Sequence, residues 1–267
     1  MKRFATVSAL SSLFWRQSIA VRLGSARCVV LVRSLFPIVS LMVALGSVCD
    51  LHHANAQGCP PLYTLTGEAV DDHFGNGVSA AGDVNGDGYP DLIVGAPSVD
   101  GGARPGRAYV YSGSDGSTLW TFMGGAAGDA FGFRVSGAGD VNNDGYADLI
   151  VGARLNDAGG ANAGQAYVYS GQTGEILWPF TGEAAGDHFG ASVSSAGDVD
   201  RDGYSDLIIG ATYNGAAGPN AGRAYVYSGQ TGAIIWTFTA EAADNRFGWS
   251  VSGAGDVNGD GNVDLII

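Results

Sequence analysis

Aspartates recur in this sequence at a spacing that suits a hard cation. Asp83, Asn85, Asp87 and Asp91 stand at positions 1, 3, 5 and 9 of one stretch, with Gly88 at position 6. The pattern D-x-[ND]-x-D-G-x-x-D returns three times: at Asp140, Asn142, Asp144 and Asp148; at Asp198, Asp200, Asp202 and Asp206; and at Asp256, Asn258, Asp260 and Asp264. Side-chain oxygens at alternating positions can wrap an ion, and the glycine allows the sharp turn. Residue 7 (Tyr89, Tyr146, Tyr204, Asn262) is placed to offer its backbone carbonyl. Oxygen donors without His or Cys select calcium or magnesium over zinc or copper, and a flexible, many-liganded loop favours calcium. The expectation is one Ca2+ per loop, up to four. The competing reading is an Asx-rich turn without metal. Against it, the four loops hold 13 acids, and carboxylates so close disfavour one another's ionisation unless a cation sits among them.

The elements that carry these loops are strands. A calcium loop between helices has a bidentate Glu at position 12. Here position 12 is Val94, Val151, Ile209 or Ile267, inside stretches such as Leu92, Ile93, Val94 that read as strand. The loops therefore link the two strands of a hairpin. Phe74, Phe131, Phe189 and Phe247 recur at intervals of 57, 58 and 58 residues, and Trp120, Trp178 and Trp236 at 58 and 58. Such a period marks a repeat architecture. In the first repeat, strands are expected at about 77–82, 91–96, 107–112 and 118–123, rich in β-branched and aromatic residues and bounded by Gly, Asp, Asn and Pro. Strands that are apolar on both sides suit stacked sheets. The fold class is all-β, a β-propeller of four-stranded blades. Repeats fall at about 66–123, 124–181, 182–239 and 240–267, the last one partial. The recurring tryptophans read as packing between blades.

In an up-and-down blade, the acidic loops share one face and the second-to-third strand connections share the other. The latter, near 98–105, 154–163 and 212–221, with 68–73 beside them, differ most among repeats. Variable loops on a rigid scaffold are where ligands bind. Arg104, Arg107, Arg154, Tyr213 and Arg223 are the candidates there. No catalytic or organic-cofactor site is expected. His73 and His188 share a repeat position with Ala130 and Arg246, which marks them as turn residues, and no nucleophile elbow, P-loop or H-E-x-x-H occurs.

Charge excludes other functions. Of 267 residues, 13 are basic and 26 acidic, and seven of the basic and 25 of the acidic ones follow residue 57, a net charge of −18 there. Nucleic acid and anionic lipid both call for a basic surface. Residues 1–56 read as a secretory signal peptide: an Arg-rich start, an apolar run at 35–48, and Ala54, Asn55, Ala56 as the cleavage pattern. A short lead-in, 57–65, follows. The expected location is secreted, periplasmic or cell-surface, with no membrane insertion after cleavage.

The Phe74, Gly75 start, the acidic loop and the Gly95, Ala96, Pro97 end together resemble the FG-GAP repeat. That repeat builds the integrin α-subunit β-propeller and occurs in many secreted bacterial proteins. The resemblance implies seven blades in a complete protein, with this chain a C-terminally truncated fragment. It also implies calcium held by Asp83, Asn85, Asp87, the Tyr89 carbonyl and Asp91, and by their equivalents in the other repeats. Arg154 and Thr212 replace the proline, and Asn262 the tyrosine, without removing a side-chain ligand. The function expected is a calcium-binding adhesion or interaction module for an extracellular protein or polysaccharide. The alternative is a non-catalytic accessory propeller of an extracellular enzyme whose catalytic domain lies beyond residue 267.

Overall fold

A computed structural model describes residues 63–98 and 104–267 in full. Before them it gives the backbone of β1 (Ser18–Ile19), β2 (Arg22–Leu23), β3 (Ala26–Leu35) and β4 (Ile38–Leu45). β4 pairs antiparallel with β3 and with β5 (Tyr63–Thr66). The rest of the 1–56 leader, including the Ala54, Asn55, Ala56 pattern, lies outside the described residues.

Three four-stranded antiparallel sheets follow, each a meander in chain order. The first comprises β6 (Gly77–Gly82), β7 (Asp91–Ala96), β8 (Pro105–Tyr111) and β9 (Thr118–Ala127). The second comprises β10 (Phe131–Gly139), β11 (Asp148–Ala153), β12 (Gln165–Tyr169) and β13 (Ile176–Thr181). The third comprises β14 (Phe189–Gly197), β15 (Asp206–Ala211), β16 (Arg223–Tyr227) and β17 (Ile234–Thr239). The hairpin of β18 (Ser252–Gly255) and β19 (Asp264–Ile266) begins a fourth. These are propeller blades, and the described residues contain no helix.

The first strands β6, β10 and β14 lie against one another, so the blades pack face to face. The second strands β7, β11 and β15 are buried at every residue, because a blade covers each of their sides. Between the second and third blades Ile150, Val168, Phe180, Phe189, Leu207, Ile209 and Tyr227 form one apolar cluster. The tryptophans stitch the blades together. Trp120 Nε1 donates to the Gly171 carbonyl at 2.9 Å, and Trp178 Nε1 to Gly229 at 2.9 Å. Each indole lies over a glycine of the next blade's outer turn, where a Cβ on Gly174 or Gly232 would fall 2.8 or 2.6 Å from the ring. Tyr63 does the same for the first blade, donating from its hydroxyl to the Ser114 carbonyl at 2.7 Å.

One blade departs from the expected strand limits. β9 continues to Ala127, where Pro105 pairs with it across a register shift. The later blades turn at the equivalent place. That turn is held by Glu183 paired with Arg223 at 2.9 Å, as Glu68 pairs with Arg107 ahead of the first blade. At the junction in question the pair is replaced by Gly125 and Gln165, so the ion pair is missing there, while Asp129 still accepts the Asn156 side-chain amide at 2.7 Å.

Candidate metal centre

Each acidic loop is shaped by its own backbone. A bulge precedes it: Ala80 pairs with Leu92, then Gly82 with Asp91, leaving Ala81 unopposed. Equivalent shifts fall between Gly137 and Gly139, Ser195 and Gly197, and Gly253 and Gly255. The glycine at position 6 is required by conformation. Gly88, Gly145, Gly203 and Gly261 have φ of 85, 89, 91 and 82°, where a side chain costs about 1–2 kcal/mol.

The expected ligands do two different jobs. The carboxylate at position 1 accepts the amides that curl around it: Asp83 from Gly86 and Gly88, both at 2.8 Å, and Asp198 from Asp202 and Gly203 at 3.1 and 3.0 Å. Position 5 accepts the amide of position 7, as in Asp87 from Tyr89 at 2.9 Å, and Asp87 also accepts the Ser114 hydroxyl at 3.1 Å. The carboxylate at position 9 is a staple. Asp148 is fully buried and accepts Val141 N–H at 2.7 Å and Gly171 N–H at 2.9 Å. Asp91 accepts Val84 and Gly113, and Asp206 accepts Val199 and Gly229, joining the metal loop to the outer turn of the same blade. Asp264 accepts Val257 N–H at 2.8 Å.

The charge crowding expected from the sequence is felt unevenly. Amide donors, led by Tyr89, hold exposed Asp87 below the usual carboxylate range, and those of Asn262 do the same for Asp260. Burial pushes Asp91 and Asp206 up, and Asp148 up to about 6, with a smaller push from the neighbouring aspartates. Backbone amides thus relieve the rim in the first and fourth loops, while the base of the first three loops keeps the electrostatic strain that a cation would relieve. In the third loop, where position 3 is also an aspartate, carboxylate oxygens of Asp198, Asp200 and Asp206 lie within 4.8 Å of one another. The donor set is all oxygen and converges, which fits a hard divalent cation.

Adjacent loops are also tied in a row. The Asp83 carbonyl accepts Ala147 N–H at 3.0 Å, and the Asp140 carbonyl accepts Ser205 N–H at 2.9 Å. Arg201 reaches from the third loop to the Gly261 carbonyl of the fourth at 2.9 Å. Neither these links nor the position-9 staples were legible as such, because each joins residues that lie far apart in the chain.

Residues 74–111, 131–169 and 189–227 each match the family model of the FG-GAP repeat. The repeats of this chain are FG-GAP repeats. Over 215 residues the chain is 32% identical to integrin alpha-5 of Xenopus laevis, covering 74% of this chain and 20% of that one. It spans about a fifth of the length of the curated relatives it matches. Among solved structures, the Dos1 propeller covers 85% of this chain and 47% of its own at a TM-score of 0.47 and 13% identity. The rhamnogalacturonan lyase YesW covers 94% and 57% at 0.47 and 18%.

The Phe-Gly dipeptide of each FG-GAP unit sits at the end of the hairpin opposite the acidic loop. The preceding residue is left-handed in all four copies, His73, Ala130, His188 and Arg246, with φ from 52 to 56°. That position is a turn, as expected for the two histidines. On this face the five sequence candidates separate into three settings. Arg107 and Arg223 are equivalent residues held in ion pairs by Glu68 and Glu183. Arg104 lines a shallow groove with Glu68, Asp72, Arg107 and Tyr109. Arg154 and Tyr213 are brought together through His188. Arg154 Nη1 lies 3.5 Å from His188 Nδ1, and the His188 ring meets Tyr213 edge to face at 4.7 Å. Sequence reading missed Phe133, Arg134 and Arg246, which extend this row. Their departure from Asn76, Gly77 and His73 in the first repeat was the available signal.

Proposed function

We propose that this FG-GAP chain is an exported, calcium-binding interaction module. Each acidic loop would take one Ca2+ through positions 1, 3, 5 and 9 and the carbonyl of position 7. The opposite face, with Arg104, Arg154 and Tyr213, would take an extracellular protein or polysaccharide. Residues 1–56 would direct export and then be removed. The observation that carries the reading is the base of the first three loops, a buried position-9 carboxylate (Asp91, Asp148, Asp206) raised by desolvation, together with the converging carboxylates of the third loop. A cation there adds the missing charge and fixes the row of loops, which in turn fixes the blades that present the ligand face. Outside the loops, Asp72, Asp115 and Asp187 cap turns and Glu68 and Glu183 sit in ion pairs, which favours binding over catalysis within this chain.

The test is an array of extracellular proteins and polysaccharides probed with the chain in calcium and in EDTA. Capture that needs calcium and is lost in Arg104→Ala or Tyr213→Ala is expected. A ligand captured equally well by both variants would place binding elsewhere.

A further inference from the structure

The second blade carries two arginines where the other blades carry small or neutral residues. Arg134 takes the place of Gly77, Ser192 and Ser250, and Arg154 that of Pro97 and Thr212. The backbone is the same in each blade, so the fold does not require them. Both guanidinium groups pack on one ring, Phe133, at 4.6 and 4.2 Å from its centroid. Both are half-buried, and among the described residues neither is paired with a carboxylate. Among the described residues the ion pairs are Arg107 with Glu68 and Arg223 with Glu183. Burial lowers the pKa of each arginine, and for Arg134 the nearby Arg154 charge lowers it further. In a chain with so large an excess of acids, these two partly desolvated cations have no counter-charge among the described residues.

Their hydrogen-bonding capacity is also unfilled. Arg134 Nη1 reaches only the Phe133 carbonyl, at 3.1 Å. Arg154 Nη1 meets His188 Nδ1 at 3.5 Å, and Arg154 Nε is buried with no acceptor. Thr212 Oγ1, at the same repeat position one blade on, is likewise buried without a partner. A buried donor left unmade is costly, and the Arg154 Nε edge is therefore open to an acceptor. The Nε and Nη edge of a guanidinium matches a planar carboxylate through two parallel bonds.

We propose that Arg134 and Arg154, with Phe133 as their platform and His188 orienting Arg154, form a receptor for one carboxylate group of a ligand. This deepens the opposite-face reading above and rests on it.

The test uses the full chain in saturating calcium, with sodium acetate titrated against sodium chloride at constant ionic strength. The readout is the arginine side-chain Nε–H signals in 15N spectra. Acetate is expected to move the Arg154 Nε–H signal saturably, and chloride is not. Arg134→Gln should weaken the acetate response roughly tenfold or more, the worth of a charge-assisted hydrogen bond. Arg154→Lys keeps the charge but removes the fork, so, followed at the Arg134 Nε–H signal, it should weaken acetate binding by a similar factor even if Arg134→Gln folds poorly. Equal responses to acetate and chloride, or unchanged acetate binding in Arg154→Lys, would overturn the proposal. Tighter binding of sulfate than of acetate would overturn the carboxylate assignment. The two readings fail separately. Ligand capture that needs Tyr213 but leaves acetate without effect at Arg154 refutes only this receptor. An acetate response with no extracellular ligand captured refutes only the wider function.

Discussion

The two jobs assigned to the loop aspartates can be separated by two isosteric changes in the third loop, Asp206→Asn and Asp202→Asn. Asp206 is fully buried and holds Val199 N–H at 2.8 Å and Gly229 N–H at 3.0 Å. Asparagine can accept one of these amides but turns an N–H2 group toward the other. One buried donor is then unsatisfied, at about 1–3 kcal/mol. Relief from burying a carboxylate offsets part of that cost, since burial raises the Asp206 pKa. The expected net loss in EDTA is about 1–2 kcal/mol, or roughly 2–8 °C in Tm for a domain of this size. Asp202 is exposed and accepts only Tyr204 N–H, at 2.9 Å. Its change to Asn should cost no more than about 0.5 kcal/mol in EDTA. In calcium both variants lose a further, similar amount relative to wild type, because either one removes a ligand charge from the same site, so the gap between them persists. Each should forfeit most of the stabilisation that one occupied site gives, about 2.7 kcal/mol at a hundredfold excess over Kd. Thermal unfolding in EDTA and in calcium measures all four values. Equal losses for Asp202→Asn and Asp206→Asn in EDTA would refute the staple. An Asp202→Asn variant as stable as wild type in calcium would refute its role as a ligand.

Trp178→Phe removes the bond to Gly229 and part of the packing on Gly232. It should cost about 1–2 kcal/mol in chemical unfolding and leave calcium affinity unchanged. Gly145→Ala meets nothing within 4 Å but has to hold φ at 89°. The expected loss is about 1–2 kcal/mol, with weaker calcium binding at the second loop in titration calorimetry. His188 is held below its usual pKa by burial and by the Arg154 charge. Its unfolded state binds the proton more readily, so its contribution is present above a pH of about 6.5 and is lost as the pH falls through the lower folded value. His188→Asn, which tolerates the left-handed turn, should flatten the stability profile below about pH 6.5. An unchanged slope would show that the ring titrates freely.

What was legible in the sequence is what the chain encodes locally. The loop pattern and the position-6 glycines lie within short stretches, the 58-residue period is the repetition of those stretches, and each strand-loop-strand unit folds as read. The Trp178 bond to Gly229 spans 51 residues, and the Asp206 staple to Gly229 spans 23. Such links depend on how one blade or turn lies on another, which periodicity does not specify. Arg107 and Arg223 read as ligand-face candidates because Glu68 and Glu183, their partners, lie 39 and 40 residues upstream. Phe133 and Arg134 were passed over because a strand start reads as scaffold, although in this fold it reaches the face opposite the metal loops.

The most direct test of the central claim is calorimetric titration of the EDTA-stripped full chain with calcium, paired with its Tm before and after. Four ions per chain, one for each loop, and a rise in Tm with occupancy are the predicted result. No heat of binding, together with identical melting in EDTA and in millimolar calcium, would contradict it and leave the loops as self-sufficient Asx turns.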